Sequence, residues 1–405
     1  MPERHADRDI VERRPGPPLP LSVITGFLGA GKTTLLNTLL RDEALADTVV
    51  IINEFGEIGL DHLLVETSDT DMILMSSGCL CCTIRGDLVS TLEDLLRRRD
   101  NNRITPFKRI VIETTGLADP APVLHTIMFH PYLMMRFRLE SVITLVDAVN
   151  GATTLDEHME AVKQAAVADR LVLTKTDLLA GPDGEKTLAD IRERLYRLNP
   201  TARVLDAAKG EAKASNLLDA GLYDADRKIP DVRKWLNMEA IDDHASHHPG
   251  HHHAHDHHHG HHHGHEDQRD QDAHDVNRHD SRIRAFAMRS DVAIPPGGFD
   301  MFLDLLRQGY GPYLLRVKGI VRMSDDPERP VVIHGVQHVF HPPLRLDHWP
   351  DDDHSTRMVF ILRDLKPEFV EKLWGAFTGQ AETDTPDAVA LTDNPLSPRP
   401  SGLLS

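Results

Sequence analysis

Two strings in this sequence combine residue types and spacing that can do chemistry together. They are Gly26-Phe-Leu-Gly29-Ala-Gly31-Lys32-Thr33 and Cys79-Leu-Cys81-Cys82. In the first, Gly26, Gly29 and Gly31 let consecutive backbone N–H groups point inward around phosphates, and a helix starting at Lys32 adds its positive end. Lys32 is expected to reach the β- and γ-phosphates, the Thr33 hydroxyl to bind Mg²⁺, and Thr34 to extend the nucleotide contact. The second string holds all three cysteines of the chain within four residues. Thiolates suit borderline-soft metals, and Zn²⁺ takes four ligands. Cys79, Cys81 and Cys82 supply at most three, so a carboxylate, a water or a receiving protein must provide the fourth. An open position favours transfer of the metal over a closed structural site.

Two further strings extend the nucleotide reading. In Ile110-Val-Ile-Glu113-Thr-Thr-Gly116 an apolar strand ends in a carboxylate that can hold Mg²⁺ through water. The Gly116 N–H is then placed to sense the γ-phosphate. Lys32, Thr33 and Glu113 are the residues expected to carry hydrolysis. At Leu173-Thr174-Lys175-Thr176-Asp177 a carboxylate can accept from guanine N1–H and its exocyclic amine, with the Lys175 stem packed on the base. Adenine would leave that carboxylate unpaired, at a cost on the order of 1–3 kcal/mol, so GTP is expected over ATP. Thr174 stands where most GTP-binding proteins have asparagine, which weakens this signature by one residue.

The elements that position these strings follow from apolar patterning. Strands are expected at Leu21–Thr25, Val49–Ile52, Ile110–Ile112, Val142–Val146 and Leu171–Leu173, and helices at Lys32–Arg41, Leu88–Leu96, Glu157–Ala166 and Glu185–Leu198. Near-continuous apolar strands alternating with helices indicate an α/β domain with a mostly parallel sheet, over residues 20–236. From Asp242 to Asp280 the composition changes, and fourteen of 26 histidines lie between His244 and His265. Little there can be buried, so residues 237–282 are expected to be a flexible linker. A smaller α+β domain is expected over 283–379, with strands at Arg284–Met288, Leu314–Val321, Val331–Val336 and Met358–Leu362. Its helices are placed at Gly298–Gln308 and Pro367–Phe377. Residues 1–19 read as a disordered leader and 380–405 as a disordered tail.

Composition excludes several classes. Aspartate and glutamate outnumber lysine and arginine by 63 to 45, for a formal charge of −18. That balance argues against nucleic acid or an anionic membrane as partner. No apolar run approaches the roughly 20 residues that span a bilayer. Met1 to Pro18 lacks the apolar stretch of a secretory signal, and an odd cysteine count fits a reducing compartment, so the cytoplasm is expected.

Together these strings resemble the CobW-type GTPases, a metallochaperone branch of the P-loop GTPases. The resemblance rests on Thr25-Gly-Phe-Leu-Gly-Ala-Gly-Lys-Thr-Thr34, Asn53-Glu-Phe-Gly-Glu57, Gly78-Cys-Leu-Cys-Cys82 and Glu113-Thr-Thr-Gly-Leu-Ala-Asp-Pro120. It continues through Val146-Asp-Ala148, Thr174-Lys-Thr-Asp177 and Leu315-Arg-Val-Lys-Gly319, and covers roughly residues 20 to 380. It implies GTP hydrolysis coupled to delivery of zinc, or in some members cobalt, to a client metalloprotein. Cys79, Cys81 and Cys82 become the ligands of the transferable metal. Glu57, in the region of a switch loop, either completes the metal shell or helps hold Mg²⁺; spacing leaves both open. The histidine-rich stretch suggests a metal reservoir. A nickel-insertion GTPase and a metal buffer stabilised by nucleotide are the alternative functions, and the oligomeric state, a homodimer included, is left open.

Overall fold

The computed structural model describes residues 17–55, 72–77, 84–218 and 282–379. The thiolate string Cys79, Cys81 and Cys82, the carboxylate Glu57, the leader, the histidine-rich stretch and the tail all lie outside the described residues.

The first domain is built from parallel strands and covering helices. The chain runs β1 (Leu19–Gly26), α1 (Lys32–Leu39), β2 (Thr48–Phe55), β3 (Met72–Ser77), α2 (Ile84–Asp100) and β4 (Arg109–Glu113). It continues through α3 (Ala121–Phe129), α4 (Pro131–Arg136), β5 (Phe137–Asp147), α5 (Gly151–Glu157), α6 (Met159–Ala166) and β6 (Arg170–Thr174). It closes with α7 (Gly181–Leu198), β7 (Arg203–Asp206) and α8 (Ala214–Leu217). The strands form one sheet in the order β3-β2-β4-β1-β5-β6-β7, and every pairing is parallel. Alternate residues of each strand enter opposite cores. Val23, Ile110 and Ile112 pack with Leu92, Leu96 and Leu124, whereas Ile24, Val111 and Ile143 pack with Leu36 and Leu39 of α1. A sheet buried on both faces needs such apolar strands. The strand order reverses at β1, between β4 and β5, and parallel sheets bind ligands at the carboxyl edge of such a point.

The second domain runs β8 (Ile283–Ser290), α9 (Pro296–Tyr310), β9 (Leu314–Val321), β10 (Val331–Val336), β11 (Val339–Phe340), β12 (Leu344–Arg345), β13 (Thr356–Arg363) and α10 (Pro367–Thr378). Its sheet, in the order β11-β10-β9-β13-β8 with β12 on β10, is antiparallel. One face carries α9 and α10, through Phe302, Leu306, Val317, Phe360 and Trp374. The other face meets the first domain, where Leu315, Ile361 and Ile283 join the core around α6 and α7.

That junction also holds buried charge. Asp169, immediately before β6, receives hydrogen bonds from the Arg316 guanidinium and the Val142 N–H. Lys318 Nζ lies 3.1 Å from the same carboxylate, and Arg316 also donates to the Val167 carbonyl. His334 Nε2 lies 3.0 Å from Arg316, and the His341 ring stacks on His334. Arg316 is 1% and Lys318 2% exposed. Burial acts to raise the Asp169 pKa, but Arg316 and Lys318 overcome it and hold the carboxyl far below the usual range. Burial, with the Arg316 charge beside it, pushes the Lys318 ammonium down to about 7. Burial likewise lowers His334 well below its ordinary value and His341 to about 4.

Several expectations need correction. The helix expected at Glu157–Ala166 is α6 and begins at Met159; a separate helix, α5, precedes it, and the two are parted at His158, whose backbone is extended at φ −127°. Its ring stacks on Phe27 of the glycine loop with centroids 4.4 Å apart, so the break aims a side chain at the site. The first helix ends at Leu39, before Arg41. Among the described residues, β3, α3, α4, α5, β7, α8, β11 and β12 were not anticipated. No described helix is long and apolar enough to cross a membrane.

Candidate nucleotide site

The loop Phe27–Gly31 leaves β1 at the carboxyl edge and enters α1 at Lys32. Gly31 adopts φ +90°, a left-handed conformation that a side chain would strain. It turns the chain so that the first N–H groups of α1 face the loop's interior. Lys32 Nζ donates to the carbonyls of Gly26 (2.9 Å) and Phe27 (3.2 Å), which holds the ammonium across the mouth of the loop. Thr33 is half-buried and Thr34 exposed at the same helix start.

Glu113 ends β4 beside β1, in register with Ile24, and is 5% exposed. Thr114 donates to the Thr25 hydroxyl at 2.8 Å, which ties the chain after Glu113 to the strand feeding the loop. A Cβ on Gly116 would stand 2.7 Å from the Leu28 backbone nitrogen. Only glycine fits so close to the loop. Gln164 of α6 fixes the same segment from behind, donating to the carbonyls of Gly116 (3.2 Å) and Ala118 (2.9 Å). Lys32, Thr33, Glu113 and Gly116 therefore converge on one end of the sheet.

Thr174, Lys175 and Asp177 occupy the end of β6 two strands away. The Thr174 hydroxyl donates to the Ala30 carbonyl at 2.8 Å, so threonine here fastens the base-side strand to the phosphate loop. The departure from asparagine keeps a side-chain donor at that position. Lys175 has φ +60° and places its ammonium 2.6 Å from Asp147 Oδ2. Asp177 is exposed in the turn Thr176–Leu178. A cavity of about 210 Å³ borders Gly29 and Ala30 and reaches Asp147 and Lys175, so loop and base-side lysine face one space.

Asp147, quoted above only within the Val146-Asp-Ala148 string, was given no role from sequence. Its carboxylate accepts from the backbone N–H groups of Val149 and Asn150, the Asn150 amide and Lys175. Burial works to raise its pKa, and these hydrogen bonds outweigh it and lower the pKa. The signal was available, since Asp147 is a carboxylate at the end of an apolar strand, as Glu113 is. Among the described residues no group of three or more histidine, cysteine, aspartate or glutamate side chains is placed to hold a metal ion.

Comparison with known proteins agrees with this geometry. Residues 20–206 match the family profile described as CobW/HypB/UreG, nucleotide-binding domain. Residues 283–378 match that of the cobalamin synthesis protein cobW C-terminal domain. The chain is 31% identical over 362 residues to the zinc chaperone YjiA of Escherichia coli K12, covering 89% of this chain and 98% of that protein. It is 32% identical over 214 residues to zinc-regulated GTPase metalloprotein activator 1 of Schizosaccharomyces pombe, about half of each chain (51% and 50%). The crystal structure of Zn(II)-bound YjiA GTPase from E. coli superposes with a TM-score of 0.60 at 26% identity, covering 89% of this chain and 99% of that one.

Proposed function

The chain belongs to the CobW/HypB/UreG family, and from that premise we propose that it is a GTPase that binds zinc at Cys79, Cys81 and Cys82 and delivers it to client metalloproteins. The observation that carries the reading is the direction of the sheet. β3 runs parallel to β1 and its last residue, Ser77, lies at the same carboxyl edge that carries the phosphate loop; Gly78-Cys79 come next in the sequence. Three strand steps separate β3 from β1. At about 4.8 Å each they put Ser77, the last residue of β3, on the order of 15 Å from the end of β1. The named activities of the zinc chaperone and zinc-regulated GTPase relatives support both the reaction and the cargo.

The residues present suit Mg²⁺, because Thr33 and Glu113 offer hard oxygen ligands at adjacent points of one edge. The chemistry Mg²⁺ supplies when bound is neutralisation of charge on the β- and γ-phosphate oxygens. Backbone N–H groups of Gly29 to Thr34 orient the phosphates. Lys32 exchanges its loop carbonyls for phosphate oxygens and stabilises charge that grows in the transition state. Gly116, packed against Leu28, is placed to register loss of the γ-phosphate and to pass it to the helix that follows. Asp177 reads the base.

Two outcomes test the proposal. GTP is expected to bind at least about tenfold more tightly than ATP, equivalent to about 1.4 kcal/mol, by calorimetry in Mg²⁺. Equal affinities would remove the guanine assignment. Zinc affinity is expected to differ about tenfold between the GTP- and GDP-bound forms, because linkage between two sites is reciprocal. Competition against a chromophoric chelator, on protein lacking residues 244–265, measures it with GDP and with a non-hydrolysable GTP analogue. Identical affinities would leave a GTPase without a nucleotide-driven transfer cycle.

A further inference from the structure

The turn that presents Asp177 is braced from beneath by a residue outside every motif considered so far. β7 ends at Asp206, which is completely buried. Its Oδ1 accepts a 2.6 Å hydrogen bond from the Thr176 hydroxyl, and its Oδ2 accepts from Arg192 of α7 at 3.2 Å. The Asp206 N–H is taken by Glu211 at 2.8 Å, and the Ala207 N–H by the Leu173 carbonyl at 2.9 Å. Thr176 is itself buried and stands between Lys175 and Asp177. Its neighbours follow its placement, because Lys175 is in a left-handed conformation and Asp177 lies in a single tight turn.

We propose that Asp206, acting through Thr176, is a positioning residue for guanine recognition. The inference rests on the nucleotide reading above and deepens it at the base. A carboxylate meets N1–H and the exocyclic amine together only if its height and tilt are fixed, and an exposed aspartate on a short turn cannot fix them alone. The buried bond from Thr176 to Asp206 supplies that restraint from a neighbouring strand. Arg192 holds the second oxygen, so the carboxylate cannot rotate away from the threonine. The phosphates are held by another loop, so a fault in this brace weakens selection of the base without disturbing the phosphate contacts.

The test compares Thr176→Val, Thr176→Ser, Asp206→Asn and Asp177→Asn with the wild-type protein, using GTP, ATP and xanthosine triphosphate. Thr176→Val keeps the branched shape and loses only the hydroxyl. It is expected to lower the GTP-over-ATP preference about tenfold through KM, with kcat at saturating GTP nearly unchanged. Thr176→Ser is expected to restore the preference; Asp206→Asn keeps one acceptor for the Thr176 hydroxyl but turns an amide N–H₂ toward Arg192, and is expected to lower the preference by less than Thr176→Val. Should Asp206→Asn fail to fold, the two Thr176 variants carry the test. Asp177→Asn presents an amide donor to the xanthine C2 carbonyl and is expected to move preference from guanine to xanthine, which checks the base reading itself. A wild-type preference in Thr176→Val, or equal losses for GTP and ATP, would overturn the positioning role while Asp177→Asn still shifts. If Asp177→Asn shifts nothing, the base assignment fails, and the brace falls with it for that separate reason.

Discussion

Lys32→Ala is expected to lower GTP turnover by at least about 10²-fold, since removal of one preorganised donor to a developing charge typically costs that much or more. The size follows from what Lys32 does at the loop. Its ammonium bridges the Gly26 and Phe27 carbonyls, so it is already desolvated in part and aimed at the phosphate path. Alanine leaves those carbonyls to water and takes from the γ-phosphate the cation that the loop supplies. Single-turnover hydrolysis under saturating GTP and Mg²⁺ separates this loss from weaker binding. Turnover within about threefold of wild type would mean that the loop binds nucleotide without catalysing its hydrolysis.

Asp169→Ala is expected to destabilise the chain by about 3–5 kcal/mol, the usual cost of removing one partner from a buried ion pair. Arg316 and Lys318 would remain buried against the first domain without the carboxylate. The loss depends on pH, with a definite sign. The Lys318 ammonium titrates at about 7 in the folded chain against an ordinary 10.5. The unfolded chain therefore binds more protons between those values, and stability from this group rises as pH rises from 7 toward 10.5. Asp169 favours the charged lysine. Its removal thus hurts most near pH 6, where wild-type Lys318 is charged, and less near pH 8.5, where it is already neutral. Asp169→Asn keeps an acceptor for the Val142 N–H and the side-chain volume but replaces the other oxygen, which faces Arg316 and Lys318, by an amide N–H₂, so comparing the two variants separates volume from polar pairing. Urea denaturation at both pH values measures the effect. A loss below about 1 kcal/mol for Asp169→Ala at pH 6 would show that the cluster contributes nothing to docking.

Legibility of this molecule divides along sequence distance. The phosphate loop, Glu113 and the Thr174–Asp177 turn could be read because each is a contiguous string that ends a strongly apolar strand. The parallel sheet could be read for the same reason. α3 was missed because Ala121–Phe129 is apolar almost throughout and shows no helical periodicity. β7 was missed because it offers only Val204 and Leu205 between Arg203 and Asp206. The break at His158 has no glycine or proline to announce it. The Leu315-Arg-Val-Lys-Gly319 string was visible as a resemblance, but its partner was not. Asp169 lies far upstream, in a stretch with no pattern of its own. Thr176 and Asp206 likewise meet only because β6 and β7 are neighbours. Contacts made by sheet order leave no local trace.

The junction around Asp169 has a consequence for how this chain tolerates change in length. Among the described residues, the cluster joins Val142, Val167 and Asp169 of the first domain to Arg316, Lys318 and His334 of the second. The described halves therefore meet through residues of their own, as the members of a complex do. Closing a flexible loop costs about 0.6 kcal/mol for each doubling of its length. A buried charge cluster with an apolar surround exceeds that easily. A flexible insertion between the halves is therefore expected to leave them docked, and a chain cleaved there to persist as a two-piece assembly.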